Sequence, residues 1–373
     1  MHFRNPIKDC TYYVLYILLT FGLLCILLLS SSCSKSGNLT LFSLQEYSIC
    51  QPSNAFYIKT YEDKLEEALA GAATNDKTVI ITVVNKAYVE GVKPMLDLFL
   101  DGFWHGEGTR ELMNHLLIVA IDPTSYERCK FLHLHCYQLE TDFVDFVGEK
   151  VYMSEDLIKM MWRRTQFLGD VLKRGYNFIF TVHTDVLWLR NPIPKLSQNK
   201  HIDLQISTDN FNGDQWSEAN PINTGFYMIK SDNKTIALFD KWYEKKEDSI
   251  GFKEQDVLQN LMRGGEFRKL GLKVRFLDTV YFSGFSQNSK DVRAVVTVHS
   301  NCCRRISAKM ADLIVVIHDW KRFMSSTSNE TSRFQWSPHD HCRDSWRNCG
   351  YYDFMLRNLI NNYVYKFFTS SIL

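Results

Sequence analysis

Nothing in the 373 residues matches a G-x-G-x-x-G or G-K-[ST] phosphate loop, which removes the dinucleotide-binding and P-loop classes. A C-x-x-C zinc pattern is missing too, and no internal repeat is visible. The chain has no basic excess. Lys and Arg number 43 against 42 Asp and Glu, a formal net charge of +1, which gives no support to a nucleic-acid partner. Nor do His and Asp cluster as the two-metal chemistry of a phosphoesterase would require. What is present is ordinary for a folded chain: 45% hydrophobic and 23% charged residues, with aromatics at 14% to furnish a core and pocket walls. The length suits one large or two ordinary domains.

Charge is also missing locally. From Cys10 to Ser34 there is no charged residue, and Tyr12 to Leu29 is almost wholly apolar, long enough to cross a hydrocarbon core of roughly 30 Å. Arg4 and Lys8 precede it and favour a cytosolic N-terminus. A cleaved signal peptide competes, because small residues follow at Ser30 to Cys33, but the run exceeds a usual h-region. The expectation is a type II membrane protein: a tail over 1–11, a signal anchor over 12–32, a stem over 33–60, a globular domain over 61–326 and an extension over 327–373. N-x-S/T sequons at Asn38, Asn233 and Asn329 agree with a lumenal body. Ten cysteines are compatible with an oxidising compartment. Cys342 and Cys349, which enclose a short loop, are the expected bridge.

Along the body, helical and strand patterns alternate. Tyr61–Ala73 reads as a helix, Thr78–Val84 as a buried strand, Glu90–Phe103 as a helix and Leu116–Ile121 as a second strand. Ser154 is a good N-cap for a helix that runs to Arg174, where Gly175 stops it. Strands follow over Asp203–Thr208 and Asn223–Ile229, then helices over Lys234–Lys246 and from Glu254, and a strand over Val295–Val298 that ends in His299. The alternation implies an α/β fold with a mainly parallel sheet flanked by helices.

The central stretch is Asn177 to Pro194. Its strand ends in His183-Thr184-Asp185, which places a carboxylate where open α/β sheets bind ligands. The bland alternative is an Asp that caps a turn. The order of HTDVLWLRNP, INTGFYMIKS, EQDVLQNL, GLKVRFLDT and VHSNCC resembles the nucleotide-diphospho-sugar transferase family known chiefly from plants. That family includes retaining Golgi arabinosyl- and xylosyltransferases of the GT-A fold. The resemblance covers roughly Thr78 to Met324 and implies a nucleotide-sugar donor, a divalent cation such as Mn²⁺ and a Golgi lumenal address. The acceptor would be a hydroxyl of a cell-wall glycan or glycoprotein, and an oligomer with itself or with other glycosyltransferases is compatible.

Carried over residue by residue, the family's Asp-Thr-Asp motif falls on His183, Thr184 and Asp185, with His183 in place of the first Asp. Asp185 and His299 become the metal ligands. Imidazole at position 183 removes one negative charge and should weaken a hard cation's binding. A cation on the departing diphosphate would act as a Lewis acid while the anomeric carbon gains oxocarbenium character. Gln255 and Asp256 are placed at the donor sugar and Asp209 at the acceptor; a first-turn helix carboxylate is the plain reading of Asp256. Thr82, Asn85 and Tyr88 stand at nucleotide positions, joined by Asn223 and Gly225. Lys159 and Arg163, one helical turn apart, are candidates for the diphosphate, although a solvated basic face is the commoner fate of such residues. His183 also motivates a second hypothesis: a catalytically silent GT-A domain that serves as partner or scaffold of an active transferase.

Overall fold

The computed structural model describes residues 63–141, 148–150, 152–327, 331 and 333–347. The expected anchor and stem, the sequons at Asn38 and Asn329, and Cys349 lie outside those residues. Among the described residues no helix is long and apolar enough to cross a membrane.

Helix α1 (Lys64–Ala72), capped by the Asp63 carboxylate, leads into β1 (Thr78–Val84). All seven residues of β1 are buried, as a strand covered on both faces requires. A single helical turn, α2 (Lys86–Val89), is capped by Asn85. Helix α3 (Met95–His105) starts later than the sequence suggests, because Pro94 is its N-cap and has no N–H to offer further inside. Then come β2 (Leu116–Ala120), α4 (Pro123–Phe131) and β3 (His135–Gln138). The long α5 (Glu155–Lys173) delivers the central strand β4 (Asn177–Thr181), and β5 (Val186–Trp188) follows. Beyond lie β6 (Leu204–Thr208), β7 (Ile222–Ile229), α6 (Asn233–Glu244), α7 (Glu254–Arg263) and the short α8 (Glu266–Lys269). Strands β8 (Val274–Phe276), β9 (Phe282–Gly284) and β10 (Thr297–His299) precede α9 (Ile306–Ser325) and α10 (Asp340–Arg347).

The main sheet has the order β3-β2-β1-β4-β7-β6-β8. Every neighbouring pair is parallel except the two that involve β7, so one reversed strand interrupts a parallel sheet. This is the mainly parallel α/β arrangement expected of a GT-A-like fold. Apolar clusters cover both faces: one centred on Phe167, Phe178 and Trp242, the other on Phe99, Phe103 and Trp188. A small second sheet, β5-β10-β9, packs against α3 and α9 through Leu187, Val298 and Trp320.

The disulfides differ from the expectation. Cys342 pairs with Cys303, not Cys349, and Cys129 pairs with Cys136. Sequence proximity favoured the 342–349 loop, but α10 lies against α9, where Asp312 accepts the Cys342 N–H at 2.7 Å. Residues 333–347 of the expected extension pack on the body, where Phe334 and Trp336 join the apolar cluster of Leu187, Val298 and Trp320.

Trp188 ties the two sheets together. It is fully buried, stacks on Phe103 at 4.9 Å and meets Phe226 edge-on at 5.7 Å. Trp188→Ala should lower unfolding free energy by about 3–5 kcal/mol, read as a lower denaturant midpoint; an unchanged midpoint would contradict this packing.

Candidate active site

Strand β4 stops at Thr181, and the next residues form the turn on which the site is built. His183 and Thr184 take left-handed backbone, with φ of 42° and 61°. Such a conformation costs a non-glycine residue about 1–3 kcal/mol and persists only where its surroundings enforce it. The Asp185 N–H donates to the Val182 carbonyl at 3.1 Å, and β5 begins at once. Strand β5 pairs antiparallel with β10 in a register that sets Val186 opposite His299. The Ser300 N–H donates to the Asp185 carbonyl at 3.0 Å. Two residues 114 positions apart are thereby placed side by side: Asp185 Oδ1 lies 3.4 Å from His299 Nε2.

His299 has its own requirement. A Cβ on Gly225 would stand 2.2 Å from His299 Cε1, so the ring fits only over a glycine. Asn223 and Gly225, placed at nucleotide positions by the resemblance, line one cavity with Asp185 and His299, and the group seated directly over Gly225 is the His299 imidazole.

Asp185 is 1% exposed. Burial raises its pKa, but Lys309 and His299 outweigh burial and hold the carboxyl below its ordinary range. It is therefore ionised. The Lys309 ammonium sits 2.5 Å from Oδ2, while Oδ1 makes no hydrogen bond.

His183 is buried and stacks on Tyr88, the ring centroids 5.2 Å apart. Its Nε2 lies 2.8 Å from Arg164 Nη1. A guanidinium only donates, so Nε2 accepts and the ring is neutral. Burial first, then the Arg164 charge, push the His183 pKa down to about 3. Arg164 Nη2 continues to Glu254 Oε1 at 2.7 Å, and the Thr224 hydroxyl donates to the same oxygen at 3.2 Å. The position where an acid was expected thus holds a neutral acceptor in a buried network whose carboxylate is Glu254.

A cavity of about 300 Å³ opens at the carboxyl ends of β1 and β4, the usual ligand position in such sheets. Asn85, Tyr88, His183 and Asp185 line it, together with Asp209, Asn223, Gly225, Gln255 and His299. Asp209 Oδ1 is fixed by two side-chain amides, Asn223 at 2.7 Å and Asn301 at 2.8 Å. Gln255 Oε1 accepts the Thr224 N–H at 3.0 Å.

Other sequence candidates lie outside the cavity. Thr82 and Thr184 are fully buried and do not line it. Lys159 pairs with Glu155 on the exposed face of α5, and Arg163 Nε donates to the Glu140 carbonyl. The inward stripe of that helix is Met160 and Arg164, four residues apart, which turns positions 159 and 163 away. On α7, Asp256 accepts the Lys253 N–H as a first-turn cap, and Glu254, two positions earlier and on the opposite side, lines the cavity instead. Asn233 is exposed in the first turn of α6.

Arg164, which the sequence groups with Lys159 and Arg163 as a solvated basic face, is instead buried and bonded to His183 and Glu254. Glu254 and Lys309 carry no functional assignment from sequence. The periodicity of α5 carried a signal for Arg164, which sits on the apolar stripe with Met160 and Leu168. Lys309 carried none, since its helix was not assigned. Among the described residues no group of three or more His, Cys, Asp and Glu side chains is placed to hold a metal ion.

Comparison with known proteins agrees with this geometry. The family model for nucleotide-diphospho-sugar transferases matches residues 111–313. The Arabidopsis thaliana protein At1g28695, described only as uncharacterized, is 52% identical over 322 residues, 85% of this chain and 93% of that protein. A second uncharacterized A. thaliana protein, At4g15970, is 41% identical over 76% of this chain and 74% of its own length. The beta-arabinofuranosyltransferase RAY1 of A. thaliana is 25% identical over 62% of this chain and 44% of its own length.

The neutral His183 makes a pH prediction. Its folded pKa of about 3 lies below the ordinary 6.5, so below pH 6.5 the unfolded chain binds the extra proton. The stability this group contributes is full above pH 6.5 and lost as pH falls toward 3. Between pH 6.5 and about 5, where ordinary carboxylates stay ionised, His183→Gln should lose less unfolding free energy than the wild type. Parallel stability curves would contradict a buried neutral His183.

Proposed function

This chain belongs to the nucleotide-diphospho-sugar transferase family and is a glycosyltransferase, and we propose that it moves a pentose from a UDP-sugar, with retention, to a hydroxyl of a cell-wall glycan or glycoprotein in the Golgi lumen. The observation that carries the reading is the meeting of Asp185 and His299, 3.4 Å apart, beside a cavity at the end of the central strand. The pentose is supported by the similarity to a beta-arabinofuranosyltransferase. The address is supported by the uncharged run from Cys10 to Ser34 and by two disulfides, which suit an oxidising compartment.

A divalent cation at the position the resemblance implies would have Asp185 Oδ1 and His299 Nε2 as donors and would supply Lewis-acid stabilisation of the leaving diphosphate. The pair does not make a metal site, however: Lys309 holds Asp185 Oδ2, and among the described residues no third His, Cys, Asp or Glu side chain joins them. The chain's own groups do the rest. Asn85 and Tyr88 would bind the nucleoside at the end of β1. Asp209, immobilised by two amides, would orient the acceptor hydroxyl, and Gln255 would face the donor sugar, where the Asp209 carboxylate would also balance positive charge at the anomeric carbon.

His183 keeps a second reading in play, because a neutral imidazole bound to Arg164 replaces an acid. In that reading the domain binds donor but is silent and partners an active transferase.

Full-length protein should hydrolyse or transfer from a UDP-pentose, and Asp185→Ala should lower turnover by about 10²-fold or more. Gly225→Ala, which displaces the His299 ring, should weaken UDP binding in calorimetry while the fold persists. Turnover and donor binding unchanged in Asp185→Ala would sink the transferase reading. UDP binding without turnover, with activity appearing in His183→Asp, would favour the silent domain.

A further inference from the structure

The carboxylate placed to receive a metal is already occupied. Lys309, on the first turn of α9, seats its ammonium on Asp185 Oδ2 at 2.5 Å, and both side chains line the donor cavity. The lysine is 18% exposed on its side chain and the carboxylate 2%, so the pair is largely shielded from solvent and its attraction is weakly screened. The other oxygen of Asp185 is closed off by His299 and reaches no solvent. With an imidazole at position 183, the carboxylates lining the cavity are Glu149, Asp185, Asp209 and Glu254, and each is engaged. Lys309 holds Asp185, Arg164 holds Glu254, two side-chain amides hold Asp209, and the Ile306 N–H donates to Glu149. Arg164 is committed to Glu254 and His183. A divalent ion arriving at Asp185 would meet an ion pair already closed, with Lys150, Lys253 and Arg304 also lining the cavity. A diphosphate arriving there would meet an ammonium already held in place by the protein.

We propose that Lys309 is the resident cation of the nucleotide site. Seated on Asp185, its ammonium holds the donor diphosphate, and nucleoside diphosphate binds without a divalent metal. The role is electrostatic: Lys309 neutralises the charge that builds on the leaving diphosphate and transfers no proton in the step. The inference rests on the nucleotide-sugar reading of the cavity and refines how that cavity handles phosphate.

The test is calorimetric titration of UDP into the full-length chain, first with a chelator and then with Mn²⁺. Wild type should bind UDP in chelator, and Mn²⁺ should tighten binding by less than about threefold. Lys309→Gln should weaken metal-free binding by about tenfold or more and should make UDP binding respond to Mn²⁺, because Asp185 is then released. Lys309→Arg should keep metal-free binding. If wild type binds UDP only with Mn²⁺, or if folded Lys309→Gln binds UDP in chelator as wild type does, the resident-cation proposal is wrong and the transferase reading survives. If UDP binds under neither condition, the nucleotide reading itself falls. Should Lys309→Gln fail to fold, the wild-type comparison in chelator and Mn²⁺ still decides.

Discussion

A carboxylate buried to 1% exposure must be matched by charge or it will protonate. At Asp185 that demand is met by the Lys309 ammonium, which arrives through the first turn of α9, while the β5–β10 register brings His299 to the other carboxylate oxygen. Each arrival imposes a further condition. The turn before Asp185 must adopt left-handed backbone at His183 and Thr184. Gly225 must lack a side chain, because the His299 ring occupies that space. Cys303, four residues past His299, is bonded to Cys342, which fixes the loop between β10 and α9 against α10. One ionised side chain thus ties together the central strand, the small sheet and the C-terminal helices.

The charge pattern around it separates into two closed pairs. Asp185 answers Lys309, and Glu254 answers Arg164. His183 joins the second pair as a neutral acceptor. The expected acid at position 183 would have faced Arg164 as a third charge; the imidazole satisfies the guanidinium without adding one. This explains how the substitution is accommodated, and it shifts the site's balance toward cationic groups that suit a diphosphate.

Much of this was legible in the sequence because strand burial and ligand position leave strong local marks. The run Thr78–Val84 is a strand over those same residues, since seven consecutive apolar or β-branched residues fit little else in an α/β chain. Asp185 and His299 were visible through the order of motifs, and the structure brings them together. What was not legible required knowledge of facing directions. Arg163 and Arg164 are adjacent in sequence, yet one helical step of about 100° puts one on the surface and the other in the core. Asp256 and Glu254 differ in the same way. The α4–β3 unit escaped notice because its strand is only four residues long and partly exposed. The Cys303–Cys342 bond spans 39 positions and depends on how α10 lies against α9, which spacing alone does not encode. The fold class follows from periodicity; the identity of the cation at the site follows only from tertiary contacts.

The most direct measurement is an experimental structure of the full-length chain with UDP bound. The account predicts a diphosphate oxygen within hydrogen-bond distance of Lys309 Nζ, with the uracil and ribose running toward Asn85 and Tyr88. UDP bound elsewhere, with the Asp185–Lys309 pair untouched and no phosphate near it, would contradict the central claim.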